Sequence, residues 1–88
     1  MTIHYYTINM PGVGYIVAQS YDYNDGCFGN RYVRCFGDRQ SDAFEFRDDC
    51  NAGRIDPRRI AYMCDTYTDA PYRYYGKGRL CRQSGQLY

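Results

Sequence analysis

Residues 2–22 read TIHYYTINMPGVGYIVAQSYD. Two runs rich in β-branched and aromatic residues flank Met10-Pro11-Gly12, and each reads as a strand. Proline presets one backbone dihedral and glycine supplies a positive one, so the middle is a turn. Strands joined by so short a connection pair antiparallel. Thr2–Asn9 and Gly14–Asp22 are therefore expected to form a hairpin that the rest of the chain must cover.

Working outward, Asn24-Asp25-Gly26 is a second reversal signal, with Asp-Gly suited to a primed turn. Arg31–Phe36 reads as a third strand, and Gly29 before it as a bulge or longer loop. The pattern then changes. Asp42 with Glu45 three residues on resembles a capping box, and Ala43, Phe46 and Cys50 share one helical face. Gly53 is placed to end that helix in a left-handed conformation. A helix over Ala43–Ala52 is expected to cover one sheet face, with Phe44 off the stripe and touching a second surface. Asp56-Pro57 is an N-cap followed by proline at the first helical position. Ile60, Met63, Cys64 and Tyr67 then follow at helical spacing, although Ile60, Tyr62 and Cys64 also alternate as in a strand; helix is the favoured reading of 57–67. Tyr72–Tyr75 and Arg79–Arg82 surround Gly76-Lys77-Gly78 as a final hairpin or a kinked edge strand. Gln83–Tyr88 reads as a loose tail. The expected class is α+β: one domain over 1–88, with a single antiparallel sheet of three to five strands and one or two short helices on one face.

The composition allows such a fold only with unusual core material. Among 88 residues, Leu, Ile, Val and Phe number only 14, but there are 12 Tyr, and net charge is +1. So few aliphatics would suit disorder; low charge and many large rings oppose it. Tyrosine buries its ring while keeping a polar tip, so the core is expected to be finished with Tyr and Cys. The near balance of 11 basic and 10 acidic side chains argues against a domain built mainly to hold a phosphate backbone. No basic and apolar leader opens the sequence, and no apolar run reaches the ~20 residues of a membrane span. A cytoplasmic protein with reduced thiols is expected.

Catalytic and metal chemistry find weak support. A Cys–His nucleophile would have to use His4, the single histidine, and no family signature surrounds any Cys. Zinc sites usually bring close ligand pairs, whereas Cys27, Cys35, Cys50, Cys64 and Cys81 are separated by 8, 15, 14 and 17 residues. Packed free cysteine is the better reading. Pro11–Tyr15 and Gly76–Arg79 are glycine-rich but complete no phosphate-loop pattern. Asp48-Asp49 sits near a helix end where negative charge is unfavourable, and it reads most simply as a solvated face. No enzyme activity, metal or cofactor is expected.

Binding surfaces are better represented. Arg31–Phe36 and Tyr72–Tyr75 interleave arginine with aromatics; if Tyr32, Arg34 and Phe36 share a strand face, that face would suit nucleic acid. This is the alternative reading. Protein recognition asks less of the same residues: Tyr and Arg dominate binding hot spots. Tyr72, Arg73, Tyr74, Tyr75 and Arg79 form a basic aromatic turn, and Tyr21, Asp22 and Tyr23 an acidic one. These eight are the candidate partner-binding residues. Within the last strand, one of the pairs Tyr72/Tyr74 and Arg73/Tyr75 must face the core. No motif matches a known family closely enough for residues to be carried over. In size and organisation the chain resembles small proteins of phages and mobile elements. A frequent job of such proteins is to inhibit host defence, CRISPR complexes included, by occupying a surface. That resemblance implies a stoichiometric, protein-binding inhibitor, cytoplasmic in the host cell, with a larger protein or complex as partner and no membrane attachment.

Protein purified under reducing conditions is expected to yield five titratable thiols and no stoichiometric metal. Thiol titration and elemental analysis check this, and bound zinc or a native disulfide would overturn it.

Overall fold

The first turn closes as its residues dictate: Gly12 takes a φ of 81°, and Val13 N–H donates to Met10 O at 3.1 Å. It joins β1 (Thr2–Met10) to β2 (Gly14–Asp22), paired antiparallel from Thr2↔Asp22 to Met10↔Gly14. Gly14 takes a φ of 112° and must be glycine for a second reason, since a Cβ there would lie 2.2 Å from the Gly37 carbonyl oxygen. The computed structural model describes residues 1–82, and the expected tail, 83–88, lies outside them. At the second reversal, the Asp22 and Asp25 carboxylates accept Asn24 N–H and Cys27 N–H, and Tyr23 N–H donates to Cys27 O. This loop is longer than an Asp-Gly two-residue turn, and β3 (Phe28–Gly37) starts three residues before the expected Arg31.

The bulges lie elsewhere than the sequence suggests. Gly29 sits in register opposite Tyr21, whose ring lies where a Gly29 Cβ would be, 2.5 Å away. The register shifts instead between Tyr15 and Ile16 and between Val17 and Ala18, leaving Phe36 and Val33 of β3 without partners across the ladder. A bulge breaks alternation. Tyr32 pairs with Ala18 and Arg34 with Val17, and adjacent β2 residues point to opposite faces. The expectation that Tyr32, Arg34 and Phe36 share one face is therefore corrected: Arg34 and Phe36 are fully enclosed, whereas Tyr32 is exposed on the other side.

Helix α1 (Gln40–Asn51) begins before the expected capping box. Its N-cap is Arg39, with no side-chain cap, and Asp42 lies inside the first turn. The Asp42 carboxylate is engaged elsewhere, accepting Tyr74 N–H at 3.0 Å. Ala43, Phe46 and Cys50 are buried as their spacing requires, and Phe44 meets Tyr15 edge-on at 6.3 Å on a separate contact. Gly53 takes a φ of 73° after the helix. Helix α2 (Pro57–Asp65) settles the ambiguity at 57–67: Asp56 caps it by accepting Arg58 N–H, and Ile60, Met63 and Cys64 face inward. Tyr67 lies beyond its end.

The fold is α+β, with the meander β1-β2-β3 and a separate two-stranded sheet of β4 (Tyr72–Tyr74) and β5 (Leu80–Arg82). The last hairpin docks on α1 and β3 instead of extending the first sheet. One core unites the elements: Val17, Val33 and Phe36 from the meander, Phe46 and Cys50 from α1, Ile60, Met63 and Cys64 from α2, and Tyr72, Tyr74 and Leu80 from the hairpin. Phe46 is central, with ring centroids 5.5 Å from Phe36 and 5.2 Å from Tyr74.

Arg34 is a charged side chain inside this assembly, 1% exposed. Its guanidinium donates to Met63 O at 3.0 Å, Thr66 O at 3.1 Å and Thr66 Oγ1 at 3.0 Å. These carbonyls belong to the C-terminal end of α2, where backbone acceptors lack helical partners and a cation is favoured. The Tyr72 ring lies 4.9 Å from the guanidinium carbon, a cation–π contact. One side chain thus joins β3, α2 and β4.

Arg34→Met should lose about 2–4 kcal/mol, because it preserves length but leaves buried carbonyl acceptors without donors. Phe46→Ala should lose about 3–5 kcal/mol. Urea unfolding checks both, and a loss under ~1 kcal/mol for either would reject its assigned role.

Candidate partner-binding surface

The hairpin register brings Ile3 opposite Tyr21 and Tyr5 opposite Gln19, and Gln19 pairs on its other side with Arg31. These odd-numbered positions share a sheet face. On α2, Pro57 at its start and Ala61 one turn further stand across from them. Together with Met1 and Tyr23 they enclose a half-open cleft of about 340 Å³. Tyr21 and Tyr23 pack edge to face, centroids 5.5 Å apart and planes at 78°. Met1, Ile3 and Tyr23 remain exposed along the rim, Tyr23 by 53%.

The floor is polar and ordered. Arg31 Nε donates to Gln19 Oε1 at 3.0 Å, and Gln19 Nε2 donates to the Tyr5 hydroxyl oxygen at 3.0 Å. Arg31 also pairs with Asp65 at 3.3 Å, both side chains being well exposed. Burial pushes the Tyr5 hydroxyl above its usual value, with the Gln19 hydrogen bond opposing. It stays protonated at neutral pH, so Tyr5 can donate to an acceptor entering the cleft. An apolar rim over a few fixed polar groups is the general form of a recognition pocket.

The eight candidate residues divide. Tyr21 and Tyr23 build the cleft, while the Asp22 carboxylate holds the Asn24 turn. In the hairpin, Tyr72 and Tyr74 are only 4% and 6% exposed, which removes them from any contact surface. Tyr74 donates its hydroxyl to Asp49 and accepts Gly78 N–H at 3.1 Å. Arg73, Tyr75 and Arg79 face outward, and none of them lines the cleft. The acidic pair is likewise split. Asp48 pairs with Arg47 at the surface, but Asp49 is not a solvated residue: it anchors Tyr74 and pairs with Arg54 at 3.1 Å.

No protein-family model, curated protein or solved structure matches the chain. The surface itself must carry the functional argument.

For nucleophilic chemistry the geometry is poor. Burial pushes up the Cys35, Cys50 and Cys64 thiols, Cys50 to about 12 with help from Asp49 and Cys64. Such groups are thiols, not the reactive thiolates. Among the described residues, no three His, Cys, Asp or Glu side chains converge as metal ligands would. Both glycine-rich loops are hairpin connections, joining β1 to β2 and β4 to β5. Arginine is interspersed with acid: Arg31, Arg47, Arg54 and Arg58 each pair with an Asp. The Arg34 of the nucleic-acid alternative is enclosed.

The sequence reading missed Met1, Ile3, Tyr5, Gln19, Arg31, Pro57 and Ala61 as cleft residues. The turn at 11–13 fixes the register, so Ile3 beside Tyr21 was within reach; the α2 wall was not.

The Cys50 thiol gives a pH dependence. Its value rises from 9.0 to about 12 on folding, so the folded state holds this proton more tightly. Its contribution is complete below pH ~9 and is lost as pH climbs toward 12, roughly 4 kcal/mol in all. Urea unfolding from about pH 7 to 11 should show wild-type stability falling above ~9, and less steeply in Cys50→Ala. Equal slopes would reject Cys50 as a source.

Proposed function

We propose that this chain is a non-enzymatic module that binds a larger protein stoichiometrically, with the Tyr21–Tyr23 cleft as its principal contact. The observation that carries the reading is the convergence of exposed Met1, Ile3 and Tyr23 on one cleft with hydrogen-bonding groups at its floor. Exposed apolar side chains are ordinary when scattered and informative when gathered. Rigid tyrosines offer large contact area with little conformational entropy to lose. The group that fits is an apolar or aromatic side chain carrying an acceptor, which Tyr5 and Arg31 can meet.

The mixed charge pattern supports a protein partner over a phosphate chain, because four of the ten arginines already face carboxylates. No helix among the described residues is long and apolar enough to cross a membrane. The narrower reading, an inhibitor that blocks a host defence complex, rests on the resemblance in size and organisation to small phage proteins. Arg73, Tyr75 and Arg79 make a second candidate patch on the far hairpin.

The test pairs identification with mutation. A partner captured from source cells and purified is titrated calorimetrically with wild type, Ile3→Ala/Tyr23→Ala and Arg73→Ala/Tyr75→Ala. The cleft variant should lose at least ~2 kcal/mol, roughly thirtyfold in Kd. The melting temperatures of the exposed-site variants should stay near wild type. Unchanged affinity in the folded cleft variant, with loss in the hairpin variant, would move the contact to the hairpin. Turnover of the partner at catalytic ratios would sink the stoichiometric reading.

A further inference from the structure

The meander has two outer strands, β1 and β3, and each is interrupted at particular residues. On β1, Asn51 at the end of α1 presents its carboxamide to the strand: Nδ2 donates to Tyr5 O at 2.9 Å and Oδ1 accepts Tyr5 N–H at 2.8 Å. A side-chain amide thus occupies the place a neighbouring strand would take. On β3, the C-terminal half is covered. Arg34 is tied to the end of α2, and Pro71 sits against Gly37.

Phe28–Tyr32 is different. It follows the β2 register without interruption, from Phe28↔Asp22 to Tyr32↔Ala18. Among the described residues, none of its backbone groups bonds outside that ladder. It holds no Pro, Lys or bulge, the usual devices against edge pairing. Its side chains invite contact, with Phe28 78% and Tyr32 40% exposed. Phe28, Asn30 and Tyr32 share the face opposite the helices.

We propose that this edge is a homodimer interface in which β3 of two copies pair antiparallel about a two-fold axis at Asn30. The two meanders then form one six-stranded sheet. The residue order is self-complementary about that axis. Phe28 stands opposite Tyr32 of the second copy, twice, giving two cross-strand aromatic pairs. Each Arg31 faces a glycine, Gly29 of the other copy, so no like charges are apposed. Asn30 faces its own equivalent across the axis, with its Oδ1 already accepting the Tyr6 hydroxyl at 3.1 Å. Antiparallel pairing requires facing residues to direct their bonding groups alike, so the axis must pass through a residue. An axis at Arg31 would set two guanidinium groups opposite and run into the Val33 bulge. An axis at Gly29 would leave Tyr32 unpaired. The interface is isologous and closed, and the net charge of +1 per chain opposes it little. Both clefts lie on the same side of the joined sheet, since an axis perpendicular to the sheet preserves its faces.

The experiment is sedimentation equilibrium of the 88-residue chain up to about 300 µM at near-physiological salt. Hydrogen exchange is followed at low and high concentration. Wild type should approach twice the 10.4 kDa chain mass, with the outward amides of Phe28, Asn30 and Tyr32 gaining protection as concentration rises. Phe28→Glu/Tyr32→Glu apposes carboxylates twice and should weaken dimerisation by at least about tenfold. Phe28→Lys/Tyr32→Glu apposes opposite charges in the same register and should restore most of that loss. Circular dichroism melting confirms that the variants fold. Asn30→Asp, a milder change that places two carboxylates at the axis, should also weaken the dimer. A monomeric wild type, protection gained on another surface, folded variants that dimerise like wild type, or a Lys/Glu variant no better than the Glu/Glu one would each overturn the proposal. A monomer would leave the edge to a strand from a different protein.

Discussion

The Arg34 guanidinium is the polar tie between β3, α2 and β4, elements that otherwise meet only through the apolar core. Helix α2 is nine residues long, too short to persist in water on its own. Its last carbonyls must be met by something. Arg34 reaches them from β3, and the α2 end dipole helps to stabilise the buried cation in return. The same group lies against the Tyr72 ring, so the docking of the last hairpin depends on it as well. A buried charge is costly unless its donors are used, and here that cost enforces specificity. The α2 C-terminus and the hairpin are held in the one arrangement in which the guanidinium finds its acceptors.

A core so poor in aliphatic side chains is made of rings and thiols whose polar ends need partners. Tyr74 shows how this is arranged. Its ring packs on Phe46 while its hydroxyl is divided between Asp49 and Gly78 N–H. Its backbone N–H meets Asp42. Two acids of α1 thus grip one residue of β4, and burial with the Asp49 contact drives the phenol well above its ordinary range. Much of the acidic and basic inventory is spent in this way on internal attachment or surface pairs. What remains distinctive on the outside is aromatic.

Local signals in the sequence were read successfully where the cause is itself local. Pro11 and Gly12 mark a turn, Asp56 and Pro57 start a helix, and the spacing of Ala43, Phe46 and Cys50 defines a buried stripe. Three features were out of reach because their causes lie far along the chain. The bulges at Val33 and Phe36 arise from how β3 must meet β2, not from either residue. Asp42 looked like an N-cap because its true partner is 32 positions away. Arg34 looked like a surface cation because the carbonyls that enclose it come from a helix it does not belong to. The same logic divides the candidate surface. Tyr21 and Tyr23 were visible as aromatics beside a turn, whereas the opposing wall comes from α2. In the last hairpin, both strand faces carry aromatics, so pattern alone left the inward pair undecided.

The Asn51 carboxamide on β1 governs what can follow once strands begin to pair between molecules. Cross-β fibres need every unit to offer two open sides, one to receive and one to present. In this meander the second side is interrupted at Tyr5, where both backbone groups are taken by the end of its own helix. An assembly nucleated at Phe28–Tyr32 therefore meets an interrupted strand on both flanks after a single addition. The cap on one strand works against growth beyond two.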